Sequence, residues 1–250
     1  MAFLRNSIPR QPLLRSPAVV IWLILVLLSA HAVRVFGLPY PASGGQRSLA
    51  FWPPPSATGW LYEYGFVPAR YSQDYLQSHG INPGNLFERA LPFVTYMFLH
   101  ANFTHVIVNC VWLLAFGPIV ARRFGTPGFL VFFLLCGIAG AAVHLALNWG
   151  SDAPVIGASA AVSGLMAAGF RMIGIGPRER GLEPILSPRI LLWTGIWVVV
   201  NVVAGLAGLG AGRLDVVAWQ AHLGGYGAGL LLAGPFDSFA RRSASVGQPT

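Results

Sequence analysis

A short set of polar residues stands inside otherwise apolar stretches of this chain, and their types suit nucleophilic chemistry. Ser159 lies in Gly157-Ala158-Ser159-Ala160, at the start of a segment rich in small residues. A serine so placed has an exposed hydroxyl, and the first-turn N–H groups of a helix lack intrahelical acceptors. Those donors and the helix dipole could stabilise a developing oxyanion. Taken alone, the segment reads first as a plain N-cap, a common role for serine. His222 lies in Gln220-Ala221-His222-Leu223-Gly224-Gly225-Tyr226-Gly227-Ala228-Gly229. Gly225 and Gly229 share one helical face with it, and such a stripe admits a neighbouring helix almost backbone to backbone. If that neighbour carries Ser159, the imidazole can reach the hydroxyl; otherwise His222 makes an interhelical hydrogen bond.

A third cluster runs from Phe98 to Asn109 and includes His100, His105 and Asn109. His105 and Asn109 are spaced i to i+4 and stack on one helical face. Both donate hydrogen bonds without bringing charge, which suits an oxyanion site in low dielectric. The plainer role is helix-to-helix hydrogen bonding. His31, His144, Asn148 and Asn201 read as structural, with His31 and His144 near span ends where they can reach the interface.

These residues need elements to hold them, and composition says which. Of 250 residues, 55% are hydrophobic and only 10% charged, with a mean hydropathy of +0.62. A soluble domain carries about 25% charged residues. Apolar runs predict six spans near 17–37, 93–118, 127–149, 155–174, 189–210 and 216–235. Glycine, alanine and serine dominate the fourth and sixth, which places them centrally in a bundle. The N-terminal run is long for a signal peptide and lacks a small-residue cleavage site, so it reads as a retained span. The organisation is an N-terminal segment 1–16, a membrane domain 17–237 containing a long first loop 38–92, and a disordered tail 238–250. The loop's Trp60, Tyr62, Tyr64, Phe66 and Tyr71 suit a headgroup-level position, as a linker or as a partly inserted wall of a site.

The net charge of +8 comes entirely from arginine, scattered between apolar runs. A nucleic-acid binder needs a continuous basic face, which is absent. With the N-terminus in the cytoplasm, that side receives Arg5, Arg10, Arg15, Arg122, Arg123, Arg171, Arg178, Arg180, Arg189, Arg241 and Arg242. The other side receives Arg34, Arg47, Arg70, Arg89 and Arg213. This excess predicts both termini inside. Cys110 and Cys136 fall in apolar runs and read as small buried hydrophobes, with no disulfide framework or metal spacing. No Asp or Glu lies deep in a span, which disfavours a proton- or cation-coupled transporter and removes the acid of a Ser-His-Asp triad.

In order and spacing, His100-x4-His105-x3-Asn109, Gly157-x-Ser159 and His222-x2-Gly225-x3-Gly229 resemble the rhomboid family of intramembrane serine proteases. The resemblance covers roughly residues 60–235 and includes Thr95–His100, the stretch leading into the second span. It implies an all-α polytopic membrane protein, a six-helix rhomboid-like bundle with a long first extracytoplasmic loop. It implies Ser159 as nucleophile and His222 as base in a dyad, with the Ser159 N–H, His105 and Asn109 holding the oxyanion. His100, Gly157, Gly225 and Gly229 would support them. The implied substrates are single-span membrane proteins entering beside the fifth span, with the lipid bilayer as solvent, no nucleic acid and no cofactor. A bacterial plasma membrane is the implied location. Three departures stand out. Ala160 follows the nucleophile where many members have glycine. Ser163 stands where many have an aromatic that stacks on the histidine. The Trp-Arg pair of the first loop is not visible, Arg89 being the nearest arginine. The rival expectations are an inactive relative that binds membrane helices, and more distantly a transporter.

Overall fold

Small residues dictate how the centre of the molecule packs. The computed structural model describes residues 16–36, 59–80, 82, 84–173, 181–207 and 218–246. The expectations for residues 1–15, for 37–58 of the first loop and for the last four residues of the tail lie outside these. In chain order the helices are α1 (Ala18–Phe36), α2 (Gly59–Tyr64), α3 (Gln73–Ser78), α4 (Leu86–Ala90), α5 (Pro92–Thr95), α6 (Phe103–Leu147), α7 (Ser159–Met172), α8 (Pro188–Leu206) and α9 (Trp219–Val246). Among the described residues there is no β-strand, only an isolated bridge between Phe66 and Val155.

Three helices, α1, α6 and α8, are long and apolar enough to cross a membrane. α6 is two helices in one: Gly125, at φ 71° and ψ 171°, breaks its 45 residues. It starts at Phe103 rather than near 93, because the Asn102 side chain accepts from the His105 N–H at 2.8 Å and caps it there. The fourth predicted span is shorter than expected. α7 has 14 residues, about 21 Å at 1.5 Å per residue, against a hydrocarbon core of ~30 Å. α9 continues to Val246, nine residues into the segment expected to be a disordered tail. Asp237 explains part of this: buried at 1% exposure, it pairs with Arg241 one turn on, at 3.1 Å, and with Arg123 of α6.

α6, α7 and α9 pack without side-chain spacers. A Cβ on Gly225 would collide with the Ala160 carbonyl, and one on Gly229 with Gly164. A Cβ on Gly164 would meet Cys136 and come 2.9 Å from the Gly225 carbonyl oxygen. Both cysteines are buried and unpaired. α1 packs mainly against α6, whereas α8 touches its neighbours sparsely.

The residues before α6 form a compact layer instead of a bare linker. The Phe66 ring packs against Phe93 at 4.7 Å and Tyr71 at 5.4 Å. Asn85 and Glu88 form a capping box on α4, and the Tyr71 hydroxyl donates to the Arg89 carbonyl at 2.8 Å. Burial pushes the Tyr71 hydroxyl up to about 12, with Arg70 and Arg89 partly offsetting it.

Candidate active site

Ser159 is the first residue of α7, and its cap is the preceding Ala158, which makes no side-chain cap bond. The plain N-cap role therefore does not describe it. Its hydroxyl instead lies 2.6 Å from His222 Nε2. The glycine stripe brings the two together: Gly225, one turn past His222, sits against Ala160, one residue past Ser159.

The segment leading to Ser159 is tied down by hydrogen bonds at three of its residues. Phe66 and Val155 exchange backbone hydrogen bonds at 2.9 and 2.8 Å. The Gly157 N–H donates to the Tyr96 carbonyl at 2.9 Å, and the Tyr96 hydroxyl donates to the Gly137 carbonyl at 2.7 Å. The Ala158 N–H donates to His100 Nε2 at 3.4 Å. His100 thus supports the segment leading into Ser159. Gly157 has φ 118°, a conformation L side chains rarely adopt. A Cβ there would lie 2.8 Å from His105 Nε2 and 3.7 Å from Ser159 Oγ. Glycine keeps open the gap between imidazole and hydroxyl.

His105 and Asn109 line the same cavity of about 680 Å³ as Ser159 and His222. The Ala101 N–H points at His105 Nδ1, at 3.5 Å, which leaves the Nε2 position to carry the proton and donate. Asn109 Nδ2 donates to the His105 carbonyl at 3.0 Å, and its second N–H remains available. The cavity extends from this polar end past Trp112, Phe116 and Trp193, an apolar length suited to hydrocarbon or helical side chains.

One residue expected to be merely structural lies in the site. Asn201 of α8 presents Oδ1 to His222 Nδ1 at 2.8 Å. Its Nδ2 donates to the Trp197 carbonyl at 2.9 Å, which fixes which end of the amide faces the ring. Ser163, where a stacking aromatic was absent, is buried at the cavity wall. His31 also departs from expectation: it is 1% exposed, faces inward, and packs edge-on against Phe103 at 4.6 Å. His144 and Asn148 do not line this cavity, and their side chains lie 3.3 Å from each other.

A family model described as a rhomboid domain matches residues 88–236, more than half of the chain. The chain belongs to the rhomboid family. That rhomboid match spans every residue of the cluster, from His100 to Gly229. The chain is also 31% identical over 158 residues to "Rhomboid-like protein 11, chloroplastic" of Arabidopsis thaliana, covering 62% of this chain and 55% of that protein. It is 29% identical over 144 residues to "RHOMBOID-like protein 7" of the same plant, covering 56% of this chain and 40% of that one. The chain thus spans about half the length or less of these curated relatives. Rhomboid membership together with its long apolar helices makes it an integral membrane protein.

Asn201 had one signal in the sequence. An asparagine in the middle of an apolar run is expensive in a membrane and marks a partner. The partner was not readable, because α8 and α9 contact each other only through their rotation in the folded bundle.

Proposed function

We propose that this rhomboid is an intramembrane serine endopeptidase that cleaves single-span membrane proteins. The observation carrying the reading is the 2.6 Å contact between Ser159 Oγ and His222 Nε2, with an acceptor behind the imidazole at Nδ1. A serine hydroxyl is a weak nucleophile until an adjacent base takes its proton. In the proposed reaction Ser159 Oγ attacks the scissile carbonyl carbon while its proton passes to His222 Nε2. The carbonyl oxygen becomes an oxyanion, held by the Ser159 N–H, His105 Nε2–H and Asn109 Nδ2–H. His222 then returns the proton to the departing amine, leaving an acyl-enzyme that water hydrolyses by the same base. The pair is a dyad, with a neutral amide where a triad would place a carboxylate.

The proposal includes topology. The two halves of α6 on either side of Gly125 cross separately, giving six spans with α1, α7, α8 and α9. α7 is too short to reach both faces, so Ser159 starts below the outer surface. The arginine bias supports both termini in the cytoplasm. A bacterial plasma membrane is the proposed location. The plant relatives make an organelle membrane the alternative, which membrane fractionation of the native host distinguishes.

Purified protein in liposomes, offered a panel of single-span substrates, tests the reaction. Cleavage is expected for the wild type and abolished in both Ser159→Ala and His222→Ala, and a fluorophosphonate should label Ser159. Cleavage that persists in Ser159→Ala overturns the dyad. A wild type that neither cuts nor labels is instead an inactive relative. Asn109→Ala is expected to lower kcat on the order of 10²-fold, the usual loss for one oxyanion donor, with KM little changed.

A further inference from the structure

α8 is the most weakly attached of the long helices. Of its nineteen residues only Ile190 and Trp197 are buried, and Leu192, Val199 and Val203 face outward. It meets α9 along one stripe at helical spacing. The Thr194 and Tyr226 hydroxyls lie 2.9 Å apart, Trp197 stacks on Tyr226 at 4.1 Å and 15°, and Asn201 accepts from His222. The same helix walls the cavity with Trp193, Ile196 and Val200.

We propose that Asn201 is the positioning residue of the Ser159–His222 pair, and that the pair is competent only while α8 is seated against α9. This rests on the protease reading above. The argument runs through proton placement. Because Asn201 Nδ2 is committed to the Trp197 carbonyl, only Oδ1 faces the ring, and it can only accept. His222 Nδ1 must therefore carry the proton, which leaves the Nε2 lone pair aimed at the Ser159 hydroxyl. Among the described residues, no other hydrogen bond reaches Nδ1 of His222, and Ser163 offers no ring to stack on it. Without Asn201 the imidazole can take the wrong tautomer or rotate away. Asn201 belongs to the helix most easily displaced by a substrate in the cavity, so displacing α8 disarms the base and reseating it restores the base.

The test uses the full-length protein in liposomes, reading substrate cleavage, fluorophosphonate labelling of Ser159, thermal unfolding and the Nδ1–H proton resonance of His222. Asn201→Ala is expected to lower kcat and labelling together, by about tenfold or more. KM should stay within about twofold, and the sheltered Nδ1–H resonance should disappear. Asn201→Asp keeps an acceptor oxygen and should recover most of the labelling. A change in unfolding temperature or KM at unaltered kcat would mean a packing role and overturn the proposal. Trp197→Ala tests the link to α8: it should lower labelling, and adding Asn201→Ala should then lower it little further. Fully multiplicative losses would show two independent roles and overturn the link. If wild type itself neither cuts nor labels, the protease reading fails; if wild type labels and Asn201→Ala labels equally, only this inference fails.

Discussion

Two seams meet at His222, and they are built in opposite ways. Toward α7 the contact is backbone on backbone: Gly225 against Ala160, Gly229 against Gly164. Toward α8 it is made by side chains: a stacked pair and two hydrogen bonds between Thr194, Trp197 and Asn201 on one side and Tyr226 and His222 on the other, with the Trp219 side chain lying against Gly205. The first seam cannot widen or narrow without losing close packing across a whole helix face. The second can part by rotating a few side chains. The difference assigns distinct tasks to them: the tight seam sets the distance from Ser159 to His222, and the loose seam sets the orientation of the ring.

The most damaging test of this contrast is Gly225→Ala. One methyl there has only backbone to displace, so a loss of about 3 kcal/mol is expected, at the upper end for overpacking. Ser159 labelling should be lost with it. Unfolding in detergent measures the first and a fluorophosphonate the second; a tolerated alanine would show that the tight seam has slack. Tyr226→Phe comes next. It removes one hydroxyl partner of Thr194 but keeps the stack on Trp197, so it should cost about 1 kcal/mol. Cleavage is expected to stay within about threefold, and a larger drop would mean that the loose seam also sets distance. The smallest effect belongs to the layer before α6. Tyr71 has a folded pKa pushed up to about 12, above its ordinary 10. The folded state therefore holds its proton longer than the unfolded chain does. Its stabilisation is complete below pH 10 and is lost as pH rises toward 12. Tyr71→Phe should flatten that alkaline loss in a pH series of unfolding temperatures; an unchanged slope would show that another group titrates there.

The tight seam was legible in the sequence because glycine has one meaning at that spacing. Gly225 and Gly229 following His222 by three and seven residues describe a face that only a closely approaching helix can cover, and the small residues around Ser159 supply that helix. The loose seam was not legible. Asn201, Trp197 and Thr194 acquire their meaning from the rotation of α8 against α9, which no spacing within α8 specifies, so Asn201 read as structural. A capping side chain made one helix end legible and not another. Ser187 accepts from the Ile190 N–H at the start of α8, close to the expected 189, whereas Asn102 caps α6 ten residues past the expected 93, and the length of α9 depends on Asp237 finding Arg123 across 114 residues. The inward turn of His31 depended on Phe103, which is also remote in sequence.

Gly125 has a bearing on how the molecule is made. A Cβ at this glycine would meet nothing within 4 Å, so the residue is required by its φ of 71° and not by crowding. The break converts what would be a rod of about 68 Å at 1.5 Å per residue into a hairpin whose tip carries Arg122 and Arg123. A hairpin of this kind can partition into a bilayer as one unit. Under the proposed topology its charged tip stays on the side where synthesis occurs, and no polar segment has to be dragged across for either half to enter. A side chain at position 125 would therefore be felt during biogenesis, as lowered yield in the membrane, before it is felt in the finished protein.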